Sequence, residues 1–194
     1  VRSGVKRTVF GGAALAVGAL LAFPAAANAI PSNTVPGTAT LSAGTLTMTT
    51  PIALGFSGTL DGTDKVLTAP QAIDVLDQTG SGAGWNITLT STQFATGDAT
   101  PLVLAFASAS DVAVDGGVCD ATVTCTLATG STVTYPLVVP AAVTAPTAVK
   151  IQNAAVDTGL AGQTFTHTMN LAVPANTKVG VYTSTWTYSL VSAP

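Results

Sequence analysis

The sequence predicts an all-β protein, an antiparallel two-sheet β-sandwich of jelly-roll or Ig-like character, and three observations carry that expectation. Apolar and hydroxyl residues alternate at period two in run after run beyond residue 37, as in Thr45-Leu46-Thr47-Met48-Thr49 and Thr164-Phe165-Thr166-His167-Thr168-Met169. Such alternation marks strands with one face buried and one solvated. Gly, Pro, Asp and Asn separate the runs at intervals of about 8 to 12 residues, the rhythm of sandwiches and barrels. Beyond residue 29, Thr makes up roughly a fifth of the chain, Glu is absent, and Lys is scarce. That composition favours strands over helices, and no stretch carries a 3.6-residue period.

The N-terminal segment reads as an export signal. Arg2, Lys6 and Arg7 form a positive head, Val9 to Leu21 is apolar apart from glycines, and Ala27-Asn28-Ala29 offers the small-x-small pattern of a cleavage site. Residues 1–29 are therefore expected to be a secretory signal peptide, cut between Ala29 and Ile30. The apolar run is shorter than the roughly 20 residues of a spanning helix, so no membrane attachment is expected after cleavage. The remaining 165 residues, 30–194, suit one domain with a proper core. They hold three Lys, no Arg and nine Asp, a formal charge of −6. Such a chain has no electrostatic footprint for nucleic acid or anionic lipid.

Strands are expected near 38–49, 52–60, 71–78, 84–94, 101–107, 111–114, 121–127, 131–139, 147–156, 162–173 and 180–191, with residues 30–37 and the Pro-rich passage 136–146 as coil or edge. Cys119 and Cys125 are the only cysteines. In an exported chain they are expected to form a disulfide across a tight loop, since metal ligation would need further soft ligands nearby. The sequence reaches Pro194 directly after a strand pattern, with no sorting motif, apolar span or basic tail. Non-covalent retention on a surface is the expectation that follows.

Two segments go beyond a generic β pattern. The first runs from Ile73 through Asp77, Gly80, Gly82 and Gly84 to Trp85-Asn86-Ile87-Thr88-Leu89, followed by Phe94; the second is Gly180-Val181-Tyr182-Thr183-Ser184-Thr185-Trp186-Thr187-Tyr188-Ser189-Leu190. Together they resemble the two motifs of the WxL family of Gram-positive surface proteins. In that family an Asp precedes a Gly-rich turn and a Trp-led strand, and a Tyr-x-x-x-Trp-x-Leu strand closes the chain. Here Ile87 and Tyr188 stand where Leu follows each Trp. The resemblance implies a single domain over 30–194 that associates non-covalently with a cell-wall polymer, foremost peptidoglycan. Asp77, Trp85, Tyr182 and Trp186 are the candidate binding residues. Alternation places Trp85 with Ile87 and Leu89, and Trp186 with Tyr182, Tyr188 and Leu190, each on one strand face. Core packing is favoured for both Trp side chains, with stacking on a sugar ring as the alternative, and Tyr182 fits either core or rim.

Catalytic chemistry is poorly supplied. His167 is the only histidine, and it projects on the face of Phe165 and Met169, where a hydrogen-bonded core histidine is expected rather than a base. Gly80-Ser81-Gly82-Ala83-Gly84 is a turn and not a nucleophile elbow. Asp74 and Asp77, three apart in an extended segment, point to opposite faces. Asp61-Gly62-Thr63-Asp64 and the stretch from Asp111 through Asp115 to Asp120 read as turns, not calcium loops. No enzyme activity, cofactor or metal is expected. The alternatives are a self-assembling subunit of a surface layer or filament, by edge-strand pairing between copies, and, less favoured, a secreted hydrolase; other surface proteins are candidate partners.

Overall fold

The computed structural model describes residues 35–98, 109–110 and 117–193. The expected signal peptide, the Ala29–Ile30 cleavage point, the expected strands 101–107 and 111–114, and Asp111 and Asp115 lie outside the described residues. From Leu41 onward the chain forms one compact unit. Its strands are β1 (Leu46–Thr49), β2 (Lys65–Asp77), β3 (Trp85–Thr92), β4 (Ala109–Ser110), β5 (Val118–Cys119), β6 (Leu137–Val138), β7 (Ala141–Ala142), β8 (Val149–Ala154), β9 (Ala161–Val173) and β10 (Trp186–Ser192).

They build an all-β sandwich. One sheet runs β1-β2-β9-β5, antiparallel throughout, and the other centres on β3, with β10 on one side and β8 and β7 on the other. β7 meets β3 in a short parallel pair, Ser91 with Ala141 and Thr92 with Ala142, the one departure from antiparallel pairing in the two main sheets. The spine of the first sheet is the thirteen-residue ladder of β2 and β9, from Lys65 opposite Val173 to Asp77 opposite Ala161. Alternation turns Leu67, Ala69, Gln71, Ile73 and Val75 inward from β2, and Phe165, His167, Met169 and Leu171 inward from β9. Against them the second sheet turns Trp85, Ile87 and Leu89 of β3 and Ile151 of β8, all fully buried. A smaller cluster of Phe94, Leu171 and Val173 lies next to this core, and Phe56 and Trp186 pack against both.

The differences from the expected strands have physical causes. β2 starts at Lys65 rather than 71, running through Pro70. β1 covers only Asp74–Asp77, so at Pro70 the strand has a free edge that can accept the missing N–H. Residues 52–60 keep alternating burial at Leu54 and Phe56 but form no strand. The expected strand at 180–191 starts at Trp186; before it, only Thr183 forms a bridge, with Ala95. Residues 121–127 and 131–139 contribute a bridge, Thr126 to Leu160, and the two residues of β6. There buried amides replace a ladder. Gln163 Oε1 accepts the Ala128 amide at 2.9 Å, and Asn153 Oδ1 accepts the Thr132 amide at 2.9 Å. Cys119 and Cys125 form the disulfide, closing the turn between β5 and that bridge with a Cα separation of 5.6 Å.

Candidate functional site

The first motif forms a corner. Asp77 ends β2 with its side chain buried. Its Oδ1 accepts hydrogen bonds from the Thr79 amide at 2.9 Å and the Thr79 hydroxyl at 2.7 Å, closing an Asx turn. That hydroxyl lies 2.9 Å from Ser81 Oγ, so the hold of the carboxylate extends into the glycine turn. Gly80, Gly82 and Gly84 all have positive φ, the left-handed region that favours glycine. At Gly84 a Cβ would also stand 2.5 Å from the Ala154 carbonyl oxygen. The turn delivers Trp85 into the interior with no exposed surface. Its indole N–H donates to the Gly159 carbonyl at 2.9 Å, and its ring meets Phe165 edge-on with centroids 5.4 Å apart. Trp85 therefore presents no ring face to a ligand, and the Asp77 carboxylate is engaged by the turn.

The second motif lies beside the first. β10 pairs with β3 so that Trp186 faces Ser91 and Ser192 faces Trp85. Two segments about 100 residues apart in sequence are thus adjacent antiparallel strands, their Trp residues at opposite ends of the pair and about 20 Å apart at the usual rise per residue. Trp186 is half-buried, with Phe94 at 6.4 Å and Phe56 at 6.5 Å between ring centroids. Its indole nitrogen is buried without a hydrogen-bond partner, as is the Tyr188 hydroxyl. Tyr182 is half-buried and donates its hydroxyl to the Lys178 carbonyl at 2.8 Å.

At this end of the sandwich opens a groove of about 700 Å³. One wall is the irregular segment Leu54 to Leu60, the other the segment Thr177 to Tyr182, and Leu67, Phe94, Leu171 and Val173 form the floor. Phe56 and Phe94 meet edge-on at 5.8 Å and hold the first wall to the floor. Val179 and Val181 stand almost fully exposed on the rim. Among the sequence candidates Tyr182 lines the groove and Trp186 packs behind it, while Asp77 and Trp85 belong to the corner. Phe56, Lys178 and the groove itself carry no mark in the sequence, whereas Phe94 follows the first motif directly.

Ionisable groups divide between turns and burial. Asp61 Oδ2 pairs with Lys65 at 2.7 Å and its Oδ1 takes the Thr63 amide; the lysine above all holds the carboxyl down to about 2. Asp64 Oδ1 accepts the Ala175 amide at 2.7 Å. On the outer face of the first sheet Thr164 bridges Asp74 and Asp120, with its hydroxyl 3.5 and 3.3 Å from their oxygens. Partial burial, then repulsion from Asp120, raises the Asp74 carboxyl above its ordinary range. His167 is fully buried on the Phe165 and Met169 face as expected, but neither ring nitrogen has a partner, nor does Oε1 of Gln71 opposite it in register. Burial alone pushes its pKa down to about 4, so the ring is neutral at pH 7.

Among the described residues no three His, Cys, Asp or Glu side chains gather as a metal would require, and no helix is long and apolar enough to cross a membrane. The fold is that of an all-β module with a groove at one end. The family model described as WxL domain, surface cell wall-binding, matches residues 30–194. The chain belongs to that family and is a cell-wall-binding surface protein. No curated protein and no solved structure matches it.

Proposed function

We propose that the chain is secreted through a signal peptide at residues 1–29, cut between Ala29 and Ile30, and that the single domain 30–194 holds it non-covalently on peptidoglycan without catalysing a reaction. The observation that carries this reading is the ligand-sized groove against which the second motif packs, with Tyr182 in its wall and Trp186 behind it. Tyr182 is the candidate contact. Trp186 positions the groove through Phe56 and Phe94, and Asp77 and Trp85 fix the β3 end of the paired motif strands. The test is co-sedimentation of the purified mature chain with insoluble, protein-free peptidoglycan at low and high salt. Wild type should sediment at both, because the apolar part of the contact is not screened by salt. Trp186→Ala and Tyr182→Ala should release it while circular dichroism shows each still folded. A wild-type chain that stays in the supernatant refutes peptidoglycan as the polymer.

A second reading, self-assembly into a surface layer or filament, is favoured by one observation. β10 is seven residues long with no charged residue, Pro or Gly, and among the described residues only β3 pairs with it. Natural edge strands usually carry such guards. Ordered multimers growing with concentration in the absence of wall material would support this reading over the first.

A further inference from the structure

The groove has the wrong chemistry for a sugar. Saccharide sites need planar groups that pair with ring hydroxyls, yet among the described residues the lining offers no Asp, Asn, Gln, Arg or His. Its polar side chains are Ser57, Thr59, Thr177, Lys178 and Tyr182, and the Tyr182 hydroxyl is already bound to the Lys178 carbonyl. Nor is a broad aromatic platform free: Phe94 is 8% exposed and Phe56 lies edge-on against it. What the described residues of the groove offer is an apolar trough, exposed valines on its rim, and one cation, Lys178.

Lys178 is exposed and forms no ion pair among the described residues, whereas Lys65 is paired with Asp61. Of the nearby carboxylates, Asp61 is paired with Lys65, while Asp64 accepts the Ala175 amide and keeps its charge. An ammonium with no ion pair beside an apolar trough is complementary to one kind of ligand, small apolar groups next to an anion. A volume of about 700 Å³ is within the range of small-ligand sites and suits a few short residues.

We infer that the groove takes the peptide part of the wall polymer and not its sugars: a short extended peptide of alanine-type residues whose free carboxylate meets Lys178. This rests on the peptidoglycan reading for the source of the peptide, but not for its chemistry. The experiment compares binding of the mature chain to intact peptidoglycan, to glycan strands stripped of peptide by an amidase, and to a soluble N-acetylated peptide ending in D-Ala-D-Ala. Intact wall should bind, stripped glycan should not, and the soluble peptide should compete, with its C-terminal amide weaker by on the order of tenfold. Lys178→Gln should weaken peptide binding by a similar factor, and Val181→Glu, which sets a carboxylate on the rim, should abolish it. Both positions are exposed, so neither variant threatens the fold. Lys150→Gln, on the second sheet, should change nothing. Stripped glycan binding as well as intact wall overturns the inference, and so does a Lys178→Gln variant with unchanged peptide affinity. Peptide binding without wall binding would overturn the peptidoglycan reading while upholding the groove's ligand class.

Discussion

Acid should loosen this fold through His167. The ring is enclosed between sheets, both nitrogens lack partners, and burial alone moves its pKa from 6.5 down to about 4. Above pH 6.5 the ring is neutral in folded and unfolded chains alike, and stability is fully present. As pH falls from 6.5 toward 4 the unfolded chain takes up a proton that the folded chain refuses, so stability is lost across that window. At about 1.4 kcal/mol per pKa unit the gap amounts to about 3 kcal/mol. That is a large part of the 5 to 15 kcal/mol typical of a domain. Asp74 acts the other way, since its raised carboxyl protonates first in the folded state and adds stability as pH falls. Asp61, held at about 2, loses its contribution only below the ordinary carboxylate range. Comparing wild type with His167→Leu in the same buffers cancels both. Urea unfolding at pH 7.5, 6, 5 and 4.5 should show the wild type losing stability relative to the variant, approaching about 3 kcal/mol near pH 4. At pH 7.5 the variant should be no less stable, because it removes buried nitrogens without partners. Parallel pH curves for the two proteins would refute this account of His167.

Three further outcomes follow from the same packing. Gly159→Ala places a Cβ 2.4 Å from that of Ala154 and 2.6 Å from the Trp85 indole nitrogen at a positive φ, and should destabilise by about 2 kcal/mol or more, read as a lowered Tm with altered Trp fluorescence. Asp77→Ala removes the acceptor of the Thr79 amide and hydroxyl, and should lower unfolding free energy by about 1 to 3 kcal/mol in denaturant titration. Replacing Cys119 and Cys125 together by Ser should cost about 2 kcal/mol, the chain-entropy value for so short a loop, and reductant should bring the wild type to the same midpoint.

Much of the fold is legible because a two-sheet sandwich writes itself as period two. β2, β3, β9 and β10 each bury one face, so hydroxyls and apolar residues alternate through them, and Asp74 and Asp77 separate to opposite faces as their spacing requires. Where the pattern misled, polar side chains had taken over the work of the ladder. Residues 121–139 look like strand, but Gln163 and Asn153 reach out from β9 and β8 to hold Ala128 and Thr132. A buried amide on one strand leaves no mark on the segment whose backbone it satisfies. Pro70 misled in the opposite sense, since whether a strand can hold a proline depends on which of its edges is paired, a long-range fact.

The motifs show the same division between local and distant information. The corner at Asp77, Gly84 and Trp85 was visible because its parts are consecutive and each has a local geometric reason. That β10 lies against β3, with Leu190 opposite Ile87 and Tyr188 opposite Leu89, has no local signature. The pairing also explains how Ile87 and Tyr188 can replace the expected Leu. Each faces a large apolar neighbour across the pair or beside it, so what the positions require is inward apolar bulk, not one side chain. The groove is the least legible feature of all. Leu54 to Leu60, Phe94, Leu171 and Thr177 to Tyr182 come from four separate places in the chain and meet only where β2 begins and β9 ends. The motifs on this reading are the frame, and specificity lies in the wall segments they hold apart. Exchanging residues 177–181 should therefore alter what is bound without altering the fold, whereas changes at Trp85 or Gly84 should do the reverse.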